Sequence, residues 1–320
     1  MQTVLVAGGA GFIGSHLCEK LLQENFSVIC IDNLLTSDKK NIESFLPNPN
    51  FKFIEEDITQ PLLTTNYQLP TINYIFHLAS PASPNLNSPR SYMSYPIETL
   101  QVNSVGTKNL LDLALDQHAK FLYASTSEVY GDPAVSPQQE SYFGNVNPNG
   151  IRSVYDEGKR FGEAITMAYY RKYGVDIRIM RIFNTYGPNM LADDGRVVSN
   201  FIVAALQNKP LSVYGEGSQT RSFCYVSDLV DGLYAAMFSD KTKAEVINLG
   251  NPIEKTIKEF AMLIKDLTKT SSEITYETLP DDDPKQRKPD ITKAKQLLGW
   301  EPKVGLEEGL QKTLEYFKNI

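Results

Sequence analysis

The chain has 320 residues, 42% of them apolar, and a net charge of −7. That length supports a sizeable core in one large domain or two coupled ones, and an acidic balance without a basic cluster argues against a nucleic-acid partner. Three scattered cysteines and three histidines leave little for a disulfide framework or a metal site. In chain order, Thr3 to Gly8 is a short apolar run that reads as a buried parallel strand. A helix with Ile13, Leu17 and Leu21 on one face follows, then the strand Ser27 to Asp32. Strands over Phe51 to Ile58 and Asn73 to Ser80 come next, then a helix over about residues 97–117. The strand Lys120 to Ser125, a helix over about 153–173 and the strand Val175 to Phe183 complete the alternation. This order predicts an α/β fold, a Rossmann-like doubly wound parallel sheet. It occupies residues 1–182, with returning pieces near 223–250. Residues 183–320 mix helices, turns and the strand VINLGNP and predict a smaller interleaved C-terminal domain covering the strand ends. Met1 stands directly before the first strand, and no apolar run reaches ~18 residues. Neither a signal peptide nor a membrane span is expected, and the expected compartment is the cytoplasm.

The first strand runs into Gly9-x-Gly11-x-x-Gly14, overlapping Gly8-x-x-Gly11-x-x-Gly14, and then into the first helix. Glycines there permit a tight turn and let a pyrophosphate approach the backbone at a helix N-terminus. The second strand ends in Asp32, about 20 residues on, where an acid bonds the ribose hydroxyls of a dinucleotide. A carboxylate at that place repels a 2′-phosphate, so NAD is expected rather than NADP. Asp57 and Ile58, at the end of the third strand, are candidates for the adenine side.

A polar triplet, Thr126-Ser127-Glu128, stands where the fifth strand runs out, and Tyr155-x-x-x-Lys159 opens the helix that follows. Tyr155 and Lys159 share one helix face, a turn apart. A free tyrosine holds its proton until about pH 10, and a neighbouring ammonium favours the phenolate. The expectation is a phenol drawn toward neutrality that takes a proton from a sugar hydroxyl while a hydride leaves the same carbon. His77, beside an apolar run, reads as a packed core histidine. Tyr169, Tyr170 and Tyr173, at helical spacing, read as packing or dimer contacts.

HLASPASP, ASTSEVYGDP, GNVNP, RSVYDEGKR, RIFNTYGP, DGRVVSNFI, VYGEGSQTRSFCYVSDLVDGL, NLGNP and LGWEP are long and uncommon stretches. Through them the chain resembles the extended short-chain dehydrogenase/reductase family of nucleotide-sugar enzymes over essentially its whole length. Within that family it is most similar to the subgroup that decarboxylates UDP-glucuronate to UDP-xylose. The resemblance implies a cofactor set of Gly8, Gly11, Phe12, Ile13, Gly14, Asp32, Asn33, Asp57, Ile58, Leu78, Ala79, Ser80, Asn103, Tyr155, Lys159, Thr185 and Arg196. It implies that Thr126 guides the carbon-4 hydroxyl proton to Tyr155. Ser127 and Glu128 then flank the carboxyl end of the sugar, and Arg287 meets the substrate carboxylate as a planar fork. Asn184 and Arg221 hold the substrate diphosphate, Leu211, Val213 and Tyr214 line the uracil slot with backbone groups, and Ser80 also borders the substrate. Residues 183–320 become mainly the nucleotide-sugar-binding domain. The helices near 98–117 and 153–173 pair with a second copy in a four-helix bundle, giving a homodimer.

The chain departs from this pattern twice. The segment NLNSPRSYMSYP after HLASPASP carries several extra residues, and Gln101 stands where a lysine is usual. Neither departure is expected to touch the residues assigned chemistry. The identity of the reaction turns on the 4-keto sugar. A 4,6-dehydratase needs an acid–base pair after the threonine, whereas serine at 127 is a very weak acid. A 4-epimerase needs no acid beyond the tyrosine and leaves Glu128 unexplained. A 4-keto sugar with a carboxylate on carbon 5 is a β-keto acid and loses carbon dioxide into the ketone. A catalytically silent nucleotide-sugar binder is the remaining alternative, and it has no use for Thr126, Tyr155 and Lys159 together.

Overall fold

The computed structural model describes residues 1–60, 69–85, 88–278 and 286–320. Strands β1 (Thr3–Ala7), β2 (Ser27–Asp32), β3 (Phe51–Glu55), β4 (Tyr74–His77), β5 (Lys120–Thr126), β6 (Ile177–Ile182) and β11 (Val246–Leu249) form one sheet. Its order is β11-β6-β5-β4-β1-β2-β3, and every pair is parallel. Both faces are apolar because the side chains alternate. Val4, Val6, Val28, Cys30, Leu122 and Met180 pack on one side, with Leu17 and Leu21 of α1 (Phe12–Gln23). Leu5, Ala7, Ile29, Ile75, Phe121 and Ile177 pack on the other, with Leu110 and Leu111. A parallel sheet buried on both faces needs such two-sided strands. The order reverses between β1 and β4, the switch point where open α/β sheets bind ligands beyond their carboxyl ends.

Three elements differ from the sequence expectation, the fourth strand ending at His77 rather than Ser80. The third strand stops at Glu55, where its ladder with β2 ends. Asp57 instead turns the chain by accepting a hydrogen bond from Thr59 N at 2.8 Å. The expected helix of 97–117 is α2 (Pro96–Gln101) and α3 (Thr107–Gln117), joined by a π-helical turn, Val102–Gly106. The wider turn carries Asn103, whose Nδ2 donates to Thr99 O at 2.9 Å and Ser80 Oγ at 3.0 Å. Such π-turns occur where a side chain is diverted from the regular helix.

The helix α4 (Ser153–Tyr173) covers the sheet beside α3. Beyond β6, β7 (Thr185–Tyr186) pairs with β10 (Cys224–Tyr225), which leads into α6 (Val226–Phe238). Between them come α5 (Val197–Leu206), β8 (Leu211–Tyr214) and β9 (Thr220–Ser222). β12 (Glu254–Thr256) and β14 (Gln286–Arg287) flank β9, and β13 (Ile274–Glu277) pairs with β8. The helices α7 (Ile257–Thr268), α8 (Thr292–Leu298) and α9 (Leu306–Lys318) complete the chain. β14 runs parallel to β9 with Arg287 opposite Arg221, which carries a residue late in the sequence to the ends of the large sheet.

Candidate active site

A cleft opens at the carboxyl ends of the central strands. At its floor, Gly8 turns with φ +82°, and a Cβ there would lie 2.6 Å from Ala79 N. A Cβ on Gly14 would lie 2.0 Å from Gly8 O, so only glycine lets α1 start directly behind the turn. Gly11 caps α1 without a side-chain hydrogen bond, which leaves backbone N–H groups of the first turn for an anion. At the end of β2 the buried Asp32 carboxylate accepts hydrogen bonds from Ala10 N at 3.0 Å, Leu34 N at 2.9 Å and Ser37 Oγ at 2.7 Å. Burial pushes this carboxyl up, and those bonds pull the other way. The glycine cradle and the acid beside it fit the diphosphate and adenosine ribose of NAD.

Gly8, Gly11, Phe12, Ile13, Gly14, Asp32, Asn33, Asp57 and Ile58 line this cleft, as do Leu78, Ala79, Ser80, Tyr155, Lys159, Thr185 and Arg196. Asn103 stands behind the wall, fully buried. It holds Ser80 from behind and accepts from Tyr123 Oη at 3.0 Å. Gln101 lines the cleft at the end of α2. His77 is core, as its setting suggested: it is fully buried, with Nε2 3.0 Å from Thr107 Oγ1.

Thr126 ends β5, and α4 carries Tyr155 and Lys159 beside it, both buried. Lys159 Nζ donates to Ala124 O at 2.9 Å and lies 5.9 Å from the centre of the Tyr155 ring. The expected drift of the phenol toward neutrality does not occur in the protein alone. Burial pushes Tyr155 up to about 12, while a hydrogen bond with Thr126 and the charge of Arg196 pull it down. Burial also lowers Lys159 to about 7, against the pull of Glu163. A dry site penalises charge on either group, and the helical spacing alone could not report it.

The extra segment does touch this chemistry, contrary to expectation. Tyr92 lies in it, 1% exposed, and its ring stacks on Tyr155 with centres 4.9 Å apart and planes 8° off parallel. Its hydroxyl is buried and has no hydrogen-bond partner among the described residues. Residues 86 and 87 of that segment, and 281–285 of the charged loop before Arg287, lie outside the described residues.

Beyond Thr126 a charged cluster forms. Glu128 Oε1 pairs with Arg287 Nη1 at 2.6 Å, and its Oε2 pairs with Arg152 Nη2 at 2.6 Å. Arg287, 2% exposed, also donates to Ser127 Oγ at 3.0 Å and to Gly131 O at 3.3 Å. The fork expected to meet a substrate is therefore closed on Glu128, and Arg287 Nε is buried without a partner among the described residues. Burial pushes the Glu128 carboxyl up, but Arg287 and Arg152 together hold it at about 2. Asp156 is pushed up to about 7 by burial and by the Glu128 charge. Arg152 was missing from the sequence-derived set, although it stands one turn before Tyr155.

A second cleft adjoins the first and shares Glu128, Arg152, Asn184, Thr185 and Arg196 with it. Arg221, Arg287, Ser212 and Tyr214 line it as well. The uracil-slot expectation concerns backbone groups of β8, and the side chains of that strand divide. Leu211 and Val213 are fully buried in the core, because alternation along β8 turns their side chains away and leaves Ser212 and Tyr214 toward the cleft. Ser80 lines the first cleft only, held there by its bonds to Pro81 O and Asn103.

Residues 5–313 match the family model described as GDP-mannose 4,6 dehydratase. The chain is 52% identical to UDP-glucuronic acid decarboxylase 1 of Xenopus tropicalis, over 99% of this chain and 72% of that protein. It is likewise 52% identical to UDP-glucuronic acid decarboxylase 5 of Arabidopsis thaliana, over 98% of this chain and 89% of that one. Among solved structures, UDP-glucuronic acid 4-epimerase from Bacillus cereus, in complex with UDP-glucuronic acid and NAD, superposes with a TM-score of 0.87. It is 31% identical, and the match covers 99% of each chain.

Proposed function

The chain belongs to the extended short-chain dehydrogenase/reductase family, in its group of UDP-glucuronic acid decarboxylases, and on that premise we propose that it converts UDP-glucuronate to UDP-xylose. It is a carboxy-lyase whose cofactor, NAD, is regenerated within each turnover. When bound, NAD supplies the acceptor and later the donor of a hydride at carbon 4 of the sugar. Tyr155 takes the carbon-4 hydroxyl proton, guided by Thr126, and Lys159 provides positive charge beside the phenol. Thr126 and Tyr155 also bond the ketone oxygen as electrons from the departing carboxylate flow into it.

The observation that carries this reading is the cluster around Glu128. Two guanidiniums, Arg152 and Arg287, face the ionised Glu128, with Asp156 beside them pushed up to about 7 and so largely able to stay neutral, which leaves positive charge for a sugar carboxylate to balance. Arg287 Nε is the buried donor left for it. Dehydration would need an acid beside Thr126. Ser127 is a very weak acid and accepts from Arg287, while Glu128 is held ionised. In the second cleft, Asn184 and Arg221 hold the diphosphate, and Ser212, Tyr214 and the β8 backbone border the uracil.

Residues 1–182, with pieces near 223–250, act as the cofactor domain and 183–320 mainly as the substrate domain. The exposed apolar Ile97, Leu100, Val105 and Phe161 on α2, the π-turn and α4 support a homodimer through a four-helix bundle. All three cysteines are buried and unpaired, which fits a reducing, cytoplasmic compartment.

Incubation with UDP-glucuronate and NAD should release carbon dioxide and yield UDP-xylose by mass spectrometry. A product of unchanged mass, or one lighter by water, would replace this reading with epimerisation or dehydration. NAD should bind about tenfold tighter than NADP or better, and Asp32→Ala should relax the difference. Equal wild-type affinities for the two would remove the role of Asp32.

A further inference from the structure

We propose that Arg90, carried by the extra segment after Pro84, is a cofactor-binding residue whose guanidinium stands over the diphosphate of NAD. This rests on the NAD site described above and adds to it a residue outside the glycine turn and the second strand.

Arg90 lines the same cleft as Gly11, Phe12 and Asp32. Its Nη1 donates to Ser37 O at 3.0 Å, and its Nε lies 3.7 Å from Asp193 Oδ2. These two partners belong to two different loops, each tied to the start of α1. Ser37 belongs to the loop after β2, whose Ser37 hydroxyl donates to Asp32 and whose Asn41 donates to Ala10 O at 3.0 Å. Asp193 belongs to the loop after β7, which is tied to α1 by Asn189 Nδ2 to Ser15 Oγ at 3.0 Å and by His16 against Pro188 O at 2.9 Å. A side chain bonded to both loops stands in the cleft lined by the first turn of α1, the place where backbone N–H groups suit an anion.

The chemistry agrees with the position. The glycine turn offers a diphosphate only backbone donors. Of the other cations lining the cleft, Arg152 is held by Glu128 and Lys159 donates to Ala124 O, while Arg196 pairs with Asp194 and Ala82 O on the sugar side of the cofactor set. Arg90 is only partly buried, at 31% exposure, and its pairing with the exposed Asp193 is loose. Its fork can therefore turn to two phosphate oxygens, a geometry guanidinium suits. The segment itself is held: Ser83 donates to Asp194 O, and Ser91 Oγ donates to Ser83 O at 3.0 Å. Residues 88–91 thus hold Arg90 at the cofactor cleft, useful to an enzyme that must keep the reduced cofactor until it returns the hydride.

The test is titration with NADH, read by fluorescence of the bound dihydronicotinamide. Wild-type binding establishes the NAD site independently. Arg90→Ala should weaken NADH and ADP-ribose about tenfold, the scale of one charge-assisted contact, and Arg90→Lys should fall between. Reduced nicotinamide riboside, which carries no phosphate, should lose nothing, and UDP-glucuronate binding should be unchanged. Asp193→Asn should leave NADH affinity equal or higher, since it removes a competing carboxylate. Undiminished NADH binding by Arg90→Ala would overturn the proposal. So would an equal loss in Asp193→Asn, which would make Arg90 a tether only, or an equal loss for the riboside. If Arg90→Ala does not fold, Arg90→Lys carries the comparison.

Discussion

Tyr155→Phe should still bind NADH while turnover of UDP-glucuronate falls by about two orders of magnitude or more, the scale of general-base catalysis. The substitution removes one oxygen and keeps the ring. That ring is fixed by its stack on Tyr92 and by burial against Thr126 and Lys159, so packing and cofactor affinity should persist. The phenol, pushed up to about 12 by burial, gives up its proton only with help from nearby positive charge. The loss should therefore appear in the first half-reaction: mixing the variant with NAD and UDP-glucuronate should yield reduced cofactor far more slowly than wild type does. Near-normal reduction in Tyr155→Phe would move the base to another residue.

Arg287→Ala should weaken UDP-glucuronate roughly tenfold to a hundredfold while barely changing UDP-glucose, which lacks the carboxylate. A charge-assisted contact contributes about 1.5–3 kcal/mol. The structure adds a second effect. Arg287 is buried and paired with Glu128, and its loss leaves Glu128 with Arg152 alone, at a cost below the ~3–5 kcal/mol of baring a buried charge. The melting temperature should therefore drop as well. Arg287→Met fills the buried volume and leaves Glu128 paired with Arg152, so it should cost less stability than Arg287→Ala while discrimination between the two ligands is equally lost. Calorimetry of both ligands against the two variants separates recognition from folding. An equal loss for both ligands would put Arg287 on the diphosphate, and no loss for either would leave it a structural ion pair.

Much of the site is legible because its parts are local. Gly8, Gly11 and Gly14 followed by an apolar helix, and Asp32 at the next strand end, form one unit whose geometry depends on residues close in sequence. Tyr155 and Lys159 meet on one face by helical period alone. The two-sided apolar runs of β1, β2 and β5 likewise required a sheet covered on both faces. Strand ends were less secure, because Asp57 could spend its side chain on a turn or its backbone on the ladder, and only the register with β2 decided between them.

What the sequence determined by itself, then, was the fold class, the dinucleotide cradle and the tyrosine–lysine pair. The tertiary structure alone decided the electrostatics and the neighbours. Glu128 meets Arg287 across 159 positions of chain, through a parallel pairing of two short strands that no periodicity announces. Tyr92 reaches Tyr155, and Arg90 reaches Ser37 and Asp193, through a segment whose length suggested only a loop. Leu211 and Val213 turned to the core because the phase of a four-residue strand depends on what packs against it. The protonation of Tyr155, Lys159 and Glu128 was decided by burial and by charges brought from elsewhere, quantities that exist only once the chain has excluded water.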